Sequence, residues 1–309
     1  MATMKALVKE QEKVTIREEP RPQLQAADEV IIDVEIAGVC RTDVYVAEGT
    51  IATAKPLILG HEFAGVVVES GKKVKTFTEG DRVTVNPQLA CGRCPDCRAG
   101  EGLVCQHSRF LGLHRNGAFA EYIAVAATAV HKLPDSVSFK QGAYTEPVAA
   151  SLAVLRGLDV HEKGLIYGDN RISRLTHEIL KAYGFADIAI FDASREVLPS
   201  HEYDFIIETL ATTETLEEII RAIRPRGKII LKSRQHRPVS LNFTDIIKKE
   251  PVFHAVNYGS FEESLELRAE ERLKLDGLFG EVYKLEAFDE VFTKSQASES
   301  LKLFFAPGG

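Results

Sequence analysis

At 309 residues the chain is long enough for two domains with cores of their own. Its 45% hydrophobic and 27% charged residues are those of a soluble globular protein, and no apolar run approaches the ~20 residues that cross a bilayer. A net charge of −7 argues against nucleic acid as a main partner, which would need a basic face to displace counterions; the one basic cluster, Arg224 to Arg237, reads as a solvated edge. The start of the chain shows no apolar signal segment, and with cysteines read as reduced this points to the cytoplasm and to no membrane partner.

From Met4 to about Ala150 the pattern is short β-like runs broken by Gly, Pro and Asp, such as Val30 to Val34, Ala64 to Val68 and Asp81 to Val85. This predicts an irregular β-rich domain over 1–146. At Thr145 the texture turns to Ala- and Leu-rich helix, from Pro147 to about Leu158. Strand and amphipathic helix then alternate: strand Gly164 to Tyr167, helix Ile172 to Tyr183, strand Ile188 to Phe191, strand Phe205 to Ile207, helix Glu214 to Ile223 and strand Lys228 to Leu231. Such alternation implies βαβ units and a doubly wound parallel sheet, placed at 147–275, with Phe253 to Tyr258 as a further strand. The tail, 276–309, has strand texture at Glu281 to Leu285 and helix texture from Glu286 to about Lys294, and is expected to return to the first domain.

Residues 91–105 hold four cysteines, Cys91, Cys94, Cys97 and Cys105, spaced C-x2-C-x2-C-x7-C among turn-forming Gly, Pro and Asp. That spacing lets one ion be wrapped tetrahedrally by four thiolates with no position left open, a structural zinc site. Disulfides fit poorly in a long chain with five cysteines and no leader. The fifth, Cys40, invites a second, open site. Cys40 follows a strand in Gly38-Val39-Cys40-Arg41-Thr42-Asp43, His61-Glu62 precedes one in Gly60-His61-Glu62-Phe63-Ala64-Gly65, and Glu146 opens the helix at Pro147. One Cys, one His and one carboxylate suit a zinc that keeps a fourth position open. Taken singly, each has a plainer reading as core packing or a helix cap.

Together with Gly80-Asp81-Arg82-Val83, Gly117 to Tyr122 and Thr145-Glu146-Pro147, these motifs resemble the zinc-dependent medium-chain alcohol dehydrogenase family, of the sorbitol and threonine dehydrogenase type, over nearly the whole chain. The resemblance implies a GroES-like catalytic domain, a Rossmann domain and a catalytic zinc held by Cys40, His61 and Glu146, with Glu62 as an additional or exchanging ligand. It implies hydride exchange between a secondary alcohol or polyol, or its ketone, and NAD(P), with zinc as Lewis acid. Thr42 takes the position of the hydroxyl that receives the substrate proton. Tyr45 stands where family members often carry a relay His, and Arg41 is placed to reach the cofactor pyrophosphate. Homodimers or homotetramers joined through a Rossmann edge strand are also implied.

Gly168-Asp169-Asn170-Arg171-Ile172-Ser173 fills the slot of the G-x-G-x-x-G turn, with Asn170 and Ser173 in place of the second and third glycines. A left-handed Asn170 would cost roughly 1–2 kcal/mol, against about 8 kcal/mol for a micromolar cofactor, so binding should be weakened and not abolished. Asp192, nineteen residues after Ser173, matches the acidic residue that bonds the adenine ribose and favours NAD, while Arg195 keeps NADP open. Between Asp192 and the strand at Phe205 there is too little chain for the usual helix and strand, so the adenine side should be trimmed. These departures motivate a rival, a redox-neutral zinc lyase or hydratase, or a non-catalytic binding protein.

Overall fold

The computed structural model describes residues 2–53, 56–195, 197–234, 237–297 and 301–309; positions 235 and 236 of the basic cluster lie outside them. The chain divides into two compact units, one formed by Met1–Glu146, Arg268–Glu270 and Phe279–Gly309, the other by Pro147–Leu267 and Glu271–Leu278.

The first unit is built on the strand Glu29–Gly38. Val30, Ile31, Ile32, Val34 and Ala37 are all buried, so neighbours must cover it on both faces. It pairs antiparallel with Glu62–Ser70, Tyr122–Ala126 and Lys302–Phe305, and the sheet continues to Arg82–Val85 and Val130–Lys132 on one side and Phe279–Tyr283 on the other. Leu7, Ile32, Phe63, Val67, Phe119 and Phe305 meet in its core. The tail thus contributes two strands, with the helix Phe288–Ala297 between them. Lys302–Phe305 has no counterpart in the sequence reading, and the helices Phe243–Lys249 and Phe261–Ala269 of the second unit were likewise not anticipated.

Five parallel strands make the second unit's sheet, in the order Ile188–Phe191, Gly164–Tyr167, Tyr203–Glu208, Ile223–Leu231, Val252–Ala255. Alternate side chains feed opposite faces. Leu165, Ile206 and Ile229 pack with Leu216, Ile219 and Ile220 of the helix Thr213–Ala222. Ile166, Phe205, Ile207 and Ile230 pack with Leu180 of the helix Arg171–Ala182 on the other face. Helices on both faces of a parallel sheet give the doubly wound α/β class read from the sequence. Residues 192–202 carry no helix or strand among the described residues, and Ile188–Phe191 is left as the sheet's edge. The trimming inferred from chain length is therefore visible as a missing outer strand. Within the basic cluster, Arg224 pairs with Asp204 at 2.6 Å, Arg226 with Glu250 at 2.9 Å and Lys228 with Glu162 at 2.7 Å, so its first three cations each face a carboxylate.

Candidate metal centre and nucleotide turn

Strand register brings the first site together. Gly38 lies opposite Glu62 on one side and opposite Phe304 on the other, so the end of one strand delivers Cys40, the start of the next delivers His61 and Glu62, and the tail strand delivers Lys302. The ligand atoms of Cys40, His61 and Glu62 lie within 4.8 Å of one another. Glu146, 5% exposed, stands outside that trio but close enough to act electrostatically on Glu62. Thiolate, imidazole and carboxylate together, with Cys40 half-buried and His61 and Glu62 buried, form a donor set that suits zinc.

Two residues that the sequence reading did not assign complete the arrangement. Asp43, 1% exposed, follows Cys40 on the short helix Arg41–Ala47. Its Oδ2 accepts from Cys40 N at 2.9 Å, its Oδ1 accepts from Gly60 N at 3.2 Å, and the same Oδ1 lies 3.2 Å from His61 Nδ1. A carboxylate there holds the proton on Nδ1 and leaves Nε2 free to bind a metal. His61 also packs edge-on against Phe110, with ring centroids 5.2 Å apart. Burial opposes a charged imidazole, but Asp43 and Cys40 outweigh it and hold the His61 pKa well above its ordinary value.

Lys302, the second, is fully buried and ion-paired with Glu62, itself 2% exposed. Burial pushes the Glu62 pKa up and Glu146 adds to this, while Lys302 and His61 work against them. A Cβ on Gly38 would lie 2.7 Å from Lys302 Cε and 2.8 Å from Glu62 Oε2, so only glycine lets the pair pass. Thr42 and Tyr45 are half-buried on the helix after Cys40, and the exposed Arg41 places its guanidinium 5.9 Å from the Tyr45 ring centroid.

In the cysteine lobe all four sulfurs lie within 4.8 Å of one another, with Cys91 and Cys97 at 4.0 Å and Cys94 and Cys105 at 3.8 Å. Four thiolates each 2.3 Å from a central zinc stand about 3.8 Å apart, so the lobe has the dimensions of that site and none of a disulfide. Backbone N–H groups of Arg93 and Cys94 bring the Cys91 pKa down to about 6. Burial, with Cys94 and Cys105 alongside, pushes Cys97 up to about 12. The metal-free lobe therefore holds protons that metal binding would displace.

In the second unit, Gly168 takes φ of 108° at the end of its strand, and Asn170 is the N-cap of the helix Arg171–Ala182. Asn170 has φ −138° and ψ 176°, extended backbone that any residue adopts, so the left-handed strain expected from the sequence is not there. Its side chain acts instead. Asn170 Oδ1 accepts from Ile172 N at 2.9 Å and Ser173 N at 3.0 Å, and Nδ2 donates to Thr209 Oγ1 at 2.8 Å. Asp169 is exposed and pairs with Arg174 at 3.1 Å, while Arg171 and Ile172 are half-buried. Asp192 and Arg195 pair with each other at 3.0 Å, and Asp192 also accepts from Ser194 N and Oγ at 2.9 and 2.7 Å. Those Ser194 bonds, with Arg195, keep Asp192 below its ordinary pKa.

The family model for the alcohol dehydrogenase GroES-like domain matches residues 26–135. An L-threonine 3-dehydrogenase of Pseudoalteromonas translucida is 30% identical over 71% of this chain and 67% of its own length. A sorbitol dehydrogenase of Halalkalibacterium halodurans is 26% identical over 98% of this chain and 99% of its own. A solved Sinorhizobium meliloti 1021 protein, described as a zinc-binding dehydrogenase and bound to NADP, matches with a TM-score of 0.91 and 25% identity, covering 99% of this chain and 100% of that one. The chain belongs to the zinc-type medium-chain alcohol dehydrogenase family. No helix among the described residues is long and apolar enough to cross a membrane.

Proposed function

We propose that the chain is a zinc-dependent dehydrogenase that exchanges hydride between a secondary alcohol, polyol or amino alcohol, or the corresponding ketone, and NAD(H) or NADP(H), working in the cytoplasm as a homodimer or homotetramer. The observation that carries this reading is the cluster of Cys40, His61 and Glu62, with Asp43 behind the imidazole. The threonine and sorbitol dehydrogenases named above point to an alcohol with a neighbouring amino or hydroxyl group. When bound, zinc supplies Lewis-acid stabilisation of negative charge on the substrate oxygen. Cys40 and His61 would hold it, with Glu62 or Glu146 as the third protein ligand. Thr42 receives the alcohol proton, and Tyr45 offers a phenol where family members often carry an imidazole for the onward step. Cys91, Cys94, Cys97 and Cys105 hold a second, structural zinc. Asp192 supports NAD over NADP, because an acidic side chain at the end of that strand suits the ribose hydroxyls and here engages Arg195. The exposed Val252 on the sheet's other edge, with exposed Phe243 and Ile247, supports an association surface.

Metal analysis and turnover test this together. The wild type should carry two zinc ions per chain, reduce NAD with a panel of vicinal diols and amino alcohols, and scatter light as two or four chains. Cys40→Ser should lose one zinc and turnover with its melting point nearly unchanged, whereas Cys97→Ser should lose stability, since structural zinc contributes folding free energy. Equal behaviour of the two variants, or no nicotinamide-linked turnover in the zinc-loaded wild type, would overturn the reading.

A further inference from the structure

The two residues that replace glycines in the nucleotide turn are tied to one hydroxyl. Thr209 Oγ1 receives Asn170 Nδ2 at 2.8 Å, lies 3.0 Å from Ser173 Oγ and itself donates to Tyr167 O at 2.8 Å. Asn170, Ser173 and Thr209 are 7%, 0% and 9% exposed. The N–H groups of Ile172 and Ser173, at the start of the helix after the first parallel strand, are those that meet a phosphate in a strand–turn–helix nucleotide site. Here both already donate to Asn170 Oδ1.

We propose that the Asn170 side chain, anchored by Thr209, occupies the anion site a dinucleotide pyrophosphate would take, and so acts as a built-in plug that sets cofactor affinity. This rests on the reading of the chain as an NAD(P)-linked dehydrogenase. A pyrophosphate can displace the plug, because charged oxygens make stronger bonds to N–H donors than a neutral amide oxygen does. The site is then competent only in the fraction of molecules whose Asn170 has swung out, and apparent affinity falls by that fraction. Glycine at an N-cap costs a helix only a few tenths of a kcal/mol relative to Asn, so Asn170→Gly should fold.

The test is calorimetric titration of the zinc-loaded full chain with NADH and with NADPH, for wild type, Asn170→Gly and Thr209→Ala, with melting curves alongside. Asn170→Gly should bind both nucleotides roughly tenfold tighter, by equal factors since the pyrophosphate is common to both, while melting slightly lower. Thr209→Ala, which unties the plug without removing it, should fall between. Tighter binding with lower stability is the signature, because a merely structural cap would weaken both. Wild type binding with Asn170→Gly no tighter, or tighter toward one nucleotide alone, refutes the plug and leaves the dehydrogenase reading standing. Binding by Asn170→Gly but not by wild type supports the plug and overturns that reading for the native chain. Binding by neither overturns both.

Discussion

Replacing Lys302 with methionine strips the partner from a carboxylate that cannot reach water. Lys302 is fully buried and Glu62 is 2% exposed, and Glu146 presses on Glu62 from nearby. Removing one side of a buried pair costs about 3–5 kcal/mol, most of it the penalty of the charge left behind. In a unit of this size each kcal/mol shifts the melting point by about 2–4 °C, so zinc-free Lys302→Met should melt roughly 6–20 °C below zinc-free wild type. A dication among Cys40, His61 and Glu62 would supply the missing positive charge, so the gap should narrow once zinc is loaded. Exchanging both partners, Glu62→Met with Lys302→Met, should restore most of the loss, because well-packed apolar side chains replace a buried pair at little cost. Differential scanning calorimetry with chelator and with zinc, run as a double-mutant cycle, reads all three. Zinc-free Lys302→Met melting within about 2 °C of wild type, or a double variant as unstable as the single one, would refute the reasoning.

Asp43→Asn should lower zinc affinity at the Cys40 site about 10–100-fold while the four-cysteine site keeps its metal, because an amide cannot accept from Cys40 N, Gly60 N and His61 Nδ1 together. Competitive zinc titration checks it, and equal weakening of both sites would show general unfolding instead. Glu208, 1% exposed, accepts from Lys232 N, Ser233 N and Ser233 Oγ at 3.0 Å each, yet burial still pushes its pKa above 4.5. Its protonated form therefore favours the folded state, a contribution complete below the unfolded pKa and lost as pH rises through the raised value. The melting-point advantage of Glu208→Gln over wild type should grow as pH rises from the ordinary glutamate pKa through the raised one, and a pH-independent difference would contradict this.

Legibility followed sequence distance. The cysteine lobe declares itself because all four ligands fall within 91–105, where spacing nearly dictates geometry. Cys40 and His61 are far apart but sit in local motifs at strand ends. Asp43 was in plain view and still unassigned, since an Asp at a helix start reads as a cap, and only the register of the neighbouring strand shows that it also reaches Gly60 and His61. Lys302 had no signal at all. A lysine in a short run near the end of the chain reads as surface, and its burial depends on the pairing of Phe304 with Gly38. Asn170 is illegible for a different reason: a left-handed glycine substitute is expected only on an unchanged backbone, whereas the chain takes an extended conformation there and lets the side chain cap the helix.

The two departures in the parallel-sheet unit act on different parts of a dinucleotide and should be separable. Asn170 opposes the pyrophosphate, which NAD and NADP share. The missing outer strand leaves Ile188–Phe191 at the edge, and Asp192, the residue proposed to read the adenine ribose, follows it directly. Removing the plug can restore only the first contribution, so Asn170→Gly should gain affinity without gaining discrimination. Discrimination rests on one exchange at the sheet edge. A ribose 2′-hydroxyl must compete with Ser194 for the Asp192 carboxylate, whereas a 2′-phosphate must draw Arg195 away from it. Arg195 is largely exposed, so its release costs little, and the proposed preference for NAD rests instead on the repulsion a 2′-phosphate would meet from the Asp192 carboxylate.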